Sequence, residues 1–234
     1  MTVRRILTSR SGGVSRAPYD TFNLAEHVGD DPAAVAANRS RLAAATGHRP
    51  ERIAWMEQVH GATVAVVERA PREPVPGTDG LVTATADVLL AVLVADCVPV
   101  LLADGSVGVV GVVHAGRKGG AAGIAPRAVA AMTGLGAVPA TTDVLLGPAI
   151  CGRCYEVPAG MRDEVEAALP GSATTTRWGT PGLDLRAGLA RQLADLGIAR
   201  VVTDSRCTYE TADLYSHRRD GITGRFAAVA WLTE

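Results

Sequence analysis

The chain has 234 residues, of which 47% are hydrophobic and 20% are charged, and its formal net charge at pH 7 is −1. This composition is typical of a globular protein long enough to bury its own core. The balanced charge argues against a nucleic-acid partner, and no apolar stretch is long enough to span a bilayer. Four cysteines in this length do not indicate a disulfide framework, and no secretory signal is recognised, so we expect a cytoplasmic, reducing environment.

The hydrophobic pattern predicts short strands interleaved with helices along the whole chain. The predicted strands cover residues 3–9, 53–56, 62–68, 81–83, 88–94, 107–113, 142–146, 198–203 and 225–232. The predicted helices cover residues 31–46, 121–132, 157–169 and 183–196. Strand pairs without an intervening helix alternate with strand–helix stretches, which favours the α+β class. Because no linker or repeat interrupts the pattern, we expect a single domain over residues 1–234.

Two of the predicted strands end on residues that an apolar strand has no packing reason to contain. Asp96 and Cys97 follow one such run, and His114 follows the next. His60 lies between two further predicted strands. Strand ends of this kind are rigid positions for a functional site, so we expect His60, Cys97 and His114 to meet at one rim of a sheet.

Two histidines and one cysteine match the ligand set of a catalytic zinc site, in which one coordination position stays open. Zinc in such a site acidifies a bound water and polarises substrate atoms. Asp96 could orient a ligand or act as a general acid or base. A nucleophilic pair of Cys97 with either histidine is the rival chemistry, and the sequence leaves both open.

Basic residues follow the predicted strand ends. Arg117 and Lys118 lie near a predicted helix N-terminus, where backbone N–H groups suit an oxyanion or a phosphate, although the Walker spacing is absent. Arg218 lies in a cationic loop that could also hold an anion. Asn38 and Arg39 lie on the first predicted helix, where a solvated face is the plain interpretation.

Cys151 and Cys154 have the C-x-x-C spacing of a metal-binding or redox pair. No second pair of this kind follows in the chain. We therefore interpret them as ordinary reduced thiols.

Many ordered motifs of the chain resemble the laccase-domain, YfiH-like family, also labelled polyphenol oxidases and purine nucleoside phosphorylases. The motifs, which span nearly the whole chain, are Ser11-Gly-Gly-Val-Ser15, His27-Val-Gly-Asp30, Asn38-Arg39, Gln58-Val-His-Gly61, Thr78-Asp-Gly80, Ala95-Asp-Cys97, His114-Ala-Gly116, Gly147-Pro148, Tyr155-Glu156 and Arg218-Arg-Asp-Gly221. The resemblance implies a layered α/β/β/α sandwich with mixed β-sheets. It also implies that His60, Cys97 and His114 bind Zn²⁺.

The resemblance further implies phosphorolysis of adenosine, inosine or guanosine to base and ribose 1-phosphate, with adenosine deamination as a second activity. Purine nucleosides and inorganic phosphate are then the expected partners, and the expected state is a monomer or weak homodimer. His60, Cys97, His114 and Asp96 are the catalytic candidates, Asp96 as the acid–base carboxylate of deamination. The candidates for binding substrate or phosphate are Asn38, Arg39, Gln58, Arg117, Lys118 and Arg218.

One pair of residues departs from the family pattern. Arg117 and Lys118 stand where the family usually has Trp-Arg, so an aromatic wall is absent and a point charge replaces a bidentate cation.

Two alternative functions stay open. A copper-dependent phenol oxidase is disfavoured because five histidines in all cannot hold several copper ions, although a thiolate could take copper. A non-enzymatic binding module on the same fold is the other.

Overall fold

The computed structural model describes residues 1–234 and contains twelve strands and six α-helices. The strands are β1 (Thr2–Leu7), β2 (Ile53–Ala54), β3 (Val64–Val66), β4 (Gly80–Thr83), β5 (Leu89–Val94), β6 (Val98–Asp104), β7 (Val109–Ala115), β8 (Asp143–Leu146), β9 (Ala173–Thr175), β10 (Pro181–Leu183), β11 (Arg200–Thr203) and β12 (Phe226–Thr233). The helices are α1 (Pro32–Ala45), α2 (Arg117–Ala121), α3 (Ile124–Gly134), α4 (Ala159–Ala168), α5 (Leu185–Asp195) and α6 (His217–Asp220). None of these helices combines the length and apolar character needed to cross a membrane.

The strands form two large mixed sheets and one small hairpin. The four-stranded sheet has the order β1-β12-β5-β2, and the six-stranded sheet has the order β11-β8-β6-β7-β4-β3. In the first sheet only β2 and β5 are parallel. In the second, the outer pairs β11 with β8 and β3 with β4 are parallel, whereas the central pairs are antiparallel.

Three apolar clusters show how the layers stack. In β5, Leu89 and Ala91 pack under Leu42 of α1, whereas Leu90 and Val92 pack against the other sheet. This alternation follows from the two-residue period of a strand. The outer face of the six-stranded sheet packs against α3 and α5. The expected α/β/β/α sandwich is confirmed, and the uninterrupted apolar run of β5 reflects burial on both faces.

The helices begin where the sequence supplies a cap. Asp31 accepts a hydrogen bond from the backbone N–H of Ala33 at 2.9 Å, and Pro32 occupies the first turn of α1. Asp184 caps α5 in the same way. Such caps satisfy donors that the first turn of a helix leaves free.

The structure differs from the sequence prediction in two places, the central strands and the helix after His114. β5 and β7 lie in different sheets, because the chain crosses from one sheet to the other at Ala95–Cys97 and then forms β6, a strand that we did not predict. The helix predicted over residues 121–132 corresponds to α3, but the segment before it, which we did not predict to be helical, forms the short helix α2. Gly123, with a φ of +78°, separates α2 from α3.

Candidate metal and anion site

The structure brings His60, Cys97 and His114 together, with their ligand atoms within 4.8 Å of one another. His60 comes from the loop after β2, Cys97 immediately precedes β6, and His114 lies on β7. Because β6 pairs antiparallel with β7, with Val98 opposite Ala115, the start of one strand meets the end of the other. The site therefore forms where the chain passes from the four-stranded sheet to the six-stranded sheet. Cys97 and His114 lie at one edge of the six-stranded sheet, whereas His60 comes from a loop.

Asp79 holds two of these residues in place. Its Oδ1 accepts from Nδ1 of His114 at 2.8 Å and from the backbone N–H of His60 at 3.0 Å. Its Oδ2 accepts from the N–H groups of Gly61 and Val59 at 2.7 and 3.2 Å. Asp79 is fully buried, so its carboxylate depends on these donors. Asp79 is not among the site residues that we predicted from sequence.

The same contacts set the electrostatics of the cluster. Burial alone would raise the pKa of the Cys97 thiol, but His114 and His60 lower that pKa to about 6. Burial alone would lower the pKa of His114, but the Cys97 thiolate and Asp79 raise that pKa to about 9. At neutral pH without a metal, Cys97 and His114 therefore form a thiolate–imidazolium pair.

These three residues fit a zinc ion. Because Asp79 occupies Nδ1 of His114, the Nε2 atom is left for a ligand, as is common for metal-binding histidines. Gly116 lies against the cluster, and a Cβ there would be 2.9 Å from Cys97 Sγ and 3.1 Å from His60 Cδ2. The thiolate and two imidazoles are donors that zinc prefers, with one position left for substrate.

The backbone bends sharply at two cavity residues. His60 has a φ of +60° and Asp96 a φ of +89°. Left-handed conformations are uncommon outside glycine and concentrate at functional sites. At His60 the hydrogen bond to Asp79 stabilises the bend.

A cavity of about 480 Å³ opens over the cluster. Four cationic side chains line it, namely Arg117, Lys118, Arg218 and Arg225. Ile150, Leu185 and the ring of Tyr155 supply an apolar part. The guanidinium of Arg218 lies 5.0 Å from the centre of the Tyr155 ring. The cavity therefore combines a metal-ligand set, positive charge and an apolar surface.

Two of the residues predicted to bind substrate or phosphate lie outside the cavity. Asn38 is buried, and it bonds to the N–H of Val14 and to Ser15 Oγ in the N-terminal loop. Arg39 donates to the Leu24 carbonyl, and its guanidinium stacks 4.2 Å from the Trp55 ring. The structure does not bring either residue to the cavity.

Gln58 and Asp96 line the cavity and also hydrogen-bond to neighbouring segments of its wall. The Gln58 amide exchanges hydrogen bonds of 2.8 and 2.9 Å with the backbone of Leu93. Asp96 Oδ1 accepts from Thr208 Oγ1 at 2.5 Å, and its Oδ2 accepts from the N–H of Arg218 at 2.6 Å. Asp96 thus fixes the loop that carries a cavity arginine.

Sequence reasoning missed Arg225 and the aromatic ring of Tyr155. Arg225 lies just before the apolar strand β12, where a charged residue without a packing role is the only signal available. Tyr155 provides an aromatic surface at the wall of the cavity. Burial and the neighbouring Cys97 raise the pKa of the Tyr155 phenol.

A second group of potential ligands lies outside the cavity. Its ligand atoms lie within 4.8 Å of one another, and its members are Cys151, Cys154, Cys207 and Glu210. All four cysteines of the chain are free. The C-x-x-C pair forms no disulfide, but it is part of a larger cluster that suggests a metal site, so our interpretation of the two residues as ordinary thiols missed this cluster.

The fold and the first cluster define the class: a layered α/β/β/α protein with a three-ligand site beside a cationic cavity. A family model described as "Multi-copper polyphenol oxidoreductase laccase" matches residues 4–233. The chain belongs to this family, the YfiH-like laccase-domain proteins.

Individual relatives agree with this assignment. A protein of Mycobacterium tuberculosis named purine nucleoside phosphorylase is 58% identical over 230 residues, which are 98% of this chain and 92% of the relative. The crystal structure of YlmD from Geobacillus stearothermophilus is 38% identical, with a TM-score of 0.93 over 99% of this chain and 92% of that one. The crystal structure of YfiH from Bacillus licheniformis is 31% identical, with a TM-score of 0.92 over 99% and 93% of the two chains.

Proposed function

We propose that this protein is a zinc-dependent purine nucleoside phosphorylase. The observation that carries the proposal is that one cavity of about 480 Å³ is lined by His60, Cys97 and His114 together with four cationic side chains. Relatives that match nearly the whole chain, such as the Mycobacterium tuberculosis protein, bear the name purine nucleoside phosphorylase. The substrates are then a purine nucleoside and inorganic phosphate.

The lining of the cavity suggests where each substrate binds. Arg117, Lys118, Arg218 and Arg225 provide the cationic surface that a phosphate needs. The purine packs against Tyr155, because a flat aromatic base gains from contact with an aromatic ring. The pKa of the Tyr155 phenol is raised, so the phenol stays protonated at neutral pH and can donate a hydrogen bond to a base nitrogen.

In the reaction, a phosphate oxygen attacks C1′ of the ribose. The glycosidic C–N bond breaks, its electron pair leaves with the purine, and the purine takes up a proton. The cationic residues hold the phosphate beside C1′, which reduces the entropy cost of the encounter, and stabilise its charge. A bound zinc would supply Lewis-acid polarisation of an atom placed beside Cys97.

The proposal includes adenosine deamination as a side activity. Water replaces the exocyclic amino group of the purine, and ammonia leaves. A carboxylate that moves protons is part of the known zinc deaminase sites. Asp96 is the carboxylate that lines this cavity, and we assign this role to it.

The test is chromatography of inosine or adenosine incubated with the zinc-loaded protein, with and without phosphate. Phosphate-dependent release of the base, lost in Cys97→Ala, supports the phosphorylase. Deamination of adenosine without release of base would transfer the proposal to hydrolytic chemistry. Absence of both reactions in zinc-loaded protein would contradict it.

Copper-dependent phenol oxidation is the second candidate, because the matching family model carries that name. Two imidazoles and a thiolate also suit a single copper ion. The remaining histidines, His27, His48 and His217, belong to neither group of potential ligands. Oxygen consumption with a phenol, measured for copper-loaded and zinc-loaded protein, separates the two activities.

A further inference from the structure

The cluster of Cys151, Cys154, Cys207 and Glu210 is built by the sheet. β8 and β11 are parallel neighbours, so the chain leaves both strands at the same edge. A further bridge between Ala149 and Cys207 extends this pairing beyond the strands. The turn after β8 carries the C-x-x-C pair, and the segment after β11 carries the other two residues. Three thiols and one carboxylate are therefore held close together by ordered backbone.

The thiols are close and partly enclosed. Cys154 and Cys207 are buried, Cys151 is half-buried and Glu210 is exposed. The backbone N–H of Cys151 donates to Sγ of Cys207 at 3.3 Å, and the N–H of Cys154 donates to the carbonyl of Cys151 at 2.9 Å. The first contact places a donor on a sulfur that would carry negative charge. The exposed side of the cluster gives an ion a way in.

The carboxylate of Glu210 is oriented towards the thiols. Arg177 binds its Oε1 at 2.9 Å, while its Oε2 lies 4.0 Å from Sγ of Cys151. The guanidinium of Arg177 lies 4.6 Å from the centre of the Trp178 ring and 5.6 Å from that of the Tyr209 ring. Arg177 is thus held in place, and it offsets part of the negative charge that three thiolates and a carboxylate would bring.

We propose that Cys151, Cys154, Cys207 and Glu210 bind a zinc ion with a structural role. Zinc–sulfur bonds of about 2.3 Å place the sulfurs of a tetrahedral site about 3.8 Å apart. The spacing of these ligand atoms, all within 4.8 Å, needs only a small contraction to reach this geometry. Thiolates select zinc over hard cations. Four protein ligands leave no open position, which separates this ion from the one in the cavity.

The ion would join two walls of the cavity. The turn after β8 is flanked by Ile150 and Tyr155, which line the cavity. The segment after β11 contains Thr208, whose hydroxyl binds Asp96, the residue that fixes Arg218. A zinc ion bound by both segments would therefore stabilise the cavity. This effect on the cavity rests on the proposed function, whereas zinc binding by the four residues does not.

Metal content under reducing conditions tests the site directly. We expect two tightly bound zinc ions per chain in the wild-type protein, one in Cys97→Ala and none in Cys97→Ala/Cys154→Ser. Cobalt added to metal-free Cys97→Ala should give intense thiolate-to-cobalt charge-transfer absorption and a tetrahedral visible spectrum. No activity enters these measurements, so they stand apart from the phosphorylase assay.

A milder variant guards against loss of folding in Cys154→Ser. In the Cys97→Ala background, Glu210→Gln should lower zinc affinity about tenfold or more, whereas Glu164→Gln on the exposed face of α4 should not change it. The proposal is overturned if Cys97→Ala binds no zinc tightly. It is equally overturned if cobalt added to metal-free Cys97→Ala gives no thiolate-to-cobalt charge-transfer absorption.

Discussion

At the residue scale, the cluster depends on Asp79 as much as on its three ligands. One buried carboxylate bonds to the ring of His114 and to three consecutive backbone N–H groups around His60. These contacts select the tautomer of His114 and fix the loop of His60. Burial alone would raise the pKa of Asp79, but the His114 ring and the N–H groups lower it, so the group is charged at neutral pH.

Asp79→Asn should lower zinc affinity about ten- to a hundredfold, as is typical when the partner of a metal-binding histidine is lost. An asparagine has one acceptor oxygen, so its amide group would face N–H donors. Competition with a chromophoric chelator measures the change. Asp163→Asn is the control, because Asp163 is exposed and binds only Arg162. An unchanged affinity in Asp79→Asn would mean that Asp79 does not orient the ligand.

Zinc binding in the cavity should release one proton from the Cys97–His114 pair at neutral pH. With a pKa of about 9, His114 must lose its Nε2 proton to bind a metal, whereas Cys97, with a pKa of about 6, is already a thiolate. Affinity should therefore rise as pH increases towards 9. Calorimetry in buffers of different ionisation enthalpy measures the release, in Cys154→Ser so that the second cluster does not contribute. A binding enthalpy independent of the buffer would contradict this assignment.

At the element scale, the site exists because β6 brings Cys97 beside the end of β7. The motif residues at strand ends predicted His60, Cys97 and His114 from sequence. The sheet assignment was wrong because a change of sheet at Ala95–Cys97 leaves no mark on an apolar pattern that is buried on both faces. Asp79 escaped prediction for a similar reason, because Thr-Asp-Gly is also an ordinary turn.

Gly116→Ala should weaken zinc binding in the cavity. The added methyl would lie 2.9 Å from Cys97 Sγ, and either the sulfur or the helix α2 would have to move. Gly160→Ala on α4 is the matched control, since a Cβ there meets no atom within 4 Å and alanine favours a helix. Zinc titration of the two variants gives the comparison. Equal affinity in both would show that the approach of Gly116 does not shape the site.

Asp96→Asn should raise KM for phosphate and remove deamination. Asparagine accepts the left-handed backbone of this position but loses one acceptor, either for Thr208 or for the N–H of Arg218. Arg218 then becomes less well placed for phosphate. Steady-state kinetics of both reactions separate the positioning role, seen in KM, from the proton-transfer role, seen in kcat. If both reactions were unchanged, neither role would stand.

At the scale of the whole molecule, two sheets with helices outside them hold one cavity at the point where the chain changes sheets. The strands, helices and α+β class were predictable, because apolar runs and helix caps are local signals, whereas the α/β/β/α layering was implied by the family resemblance. The ligands contributed by distant segments of the chain were harder to predict. Cys207 and Glu210 join Cys151 and Cys154 only because β8 and β11 are parallel neighbours. Arg225, just before β12, lines the cavity, and no local sequence pattern predicts that it would do so.

Phosphorolysis by this protein can be measured as the formation of ribose 1-phosphate from inosine and phosphate. Phosphorus NMR follows the product for wild-type, Cys97→Ala and Lys118→Gln proteins loaded with zinc. We expect turnover by the wild-type protein, none above background in Cys97→Ala, and a raised KM for phosphate in Lys118→Gln. If wild-type protein with zinc in its cavity forms no ribose 1-phosphate, the phosphorylase proposal is wrong. If Cys97→Ala turns over as fast as the wild-type protein, the reaction does not depend on a metal bound at Cys97.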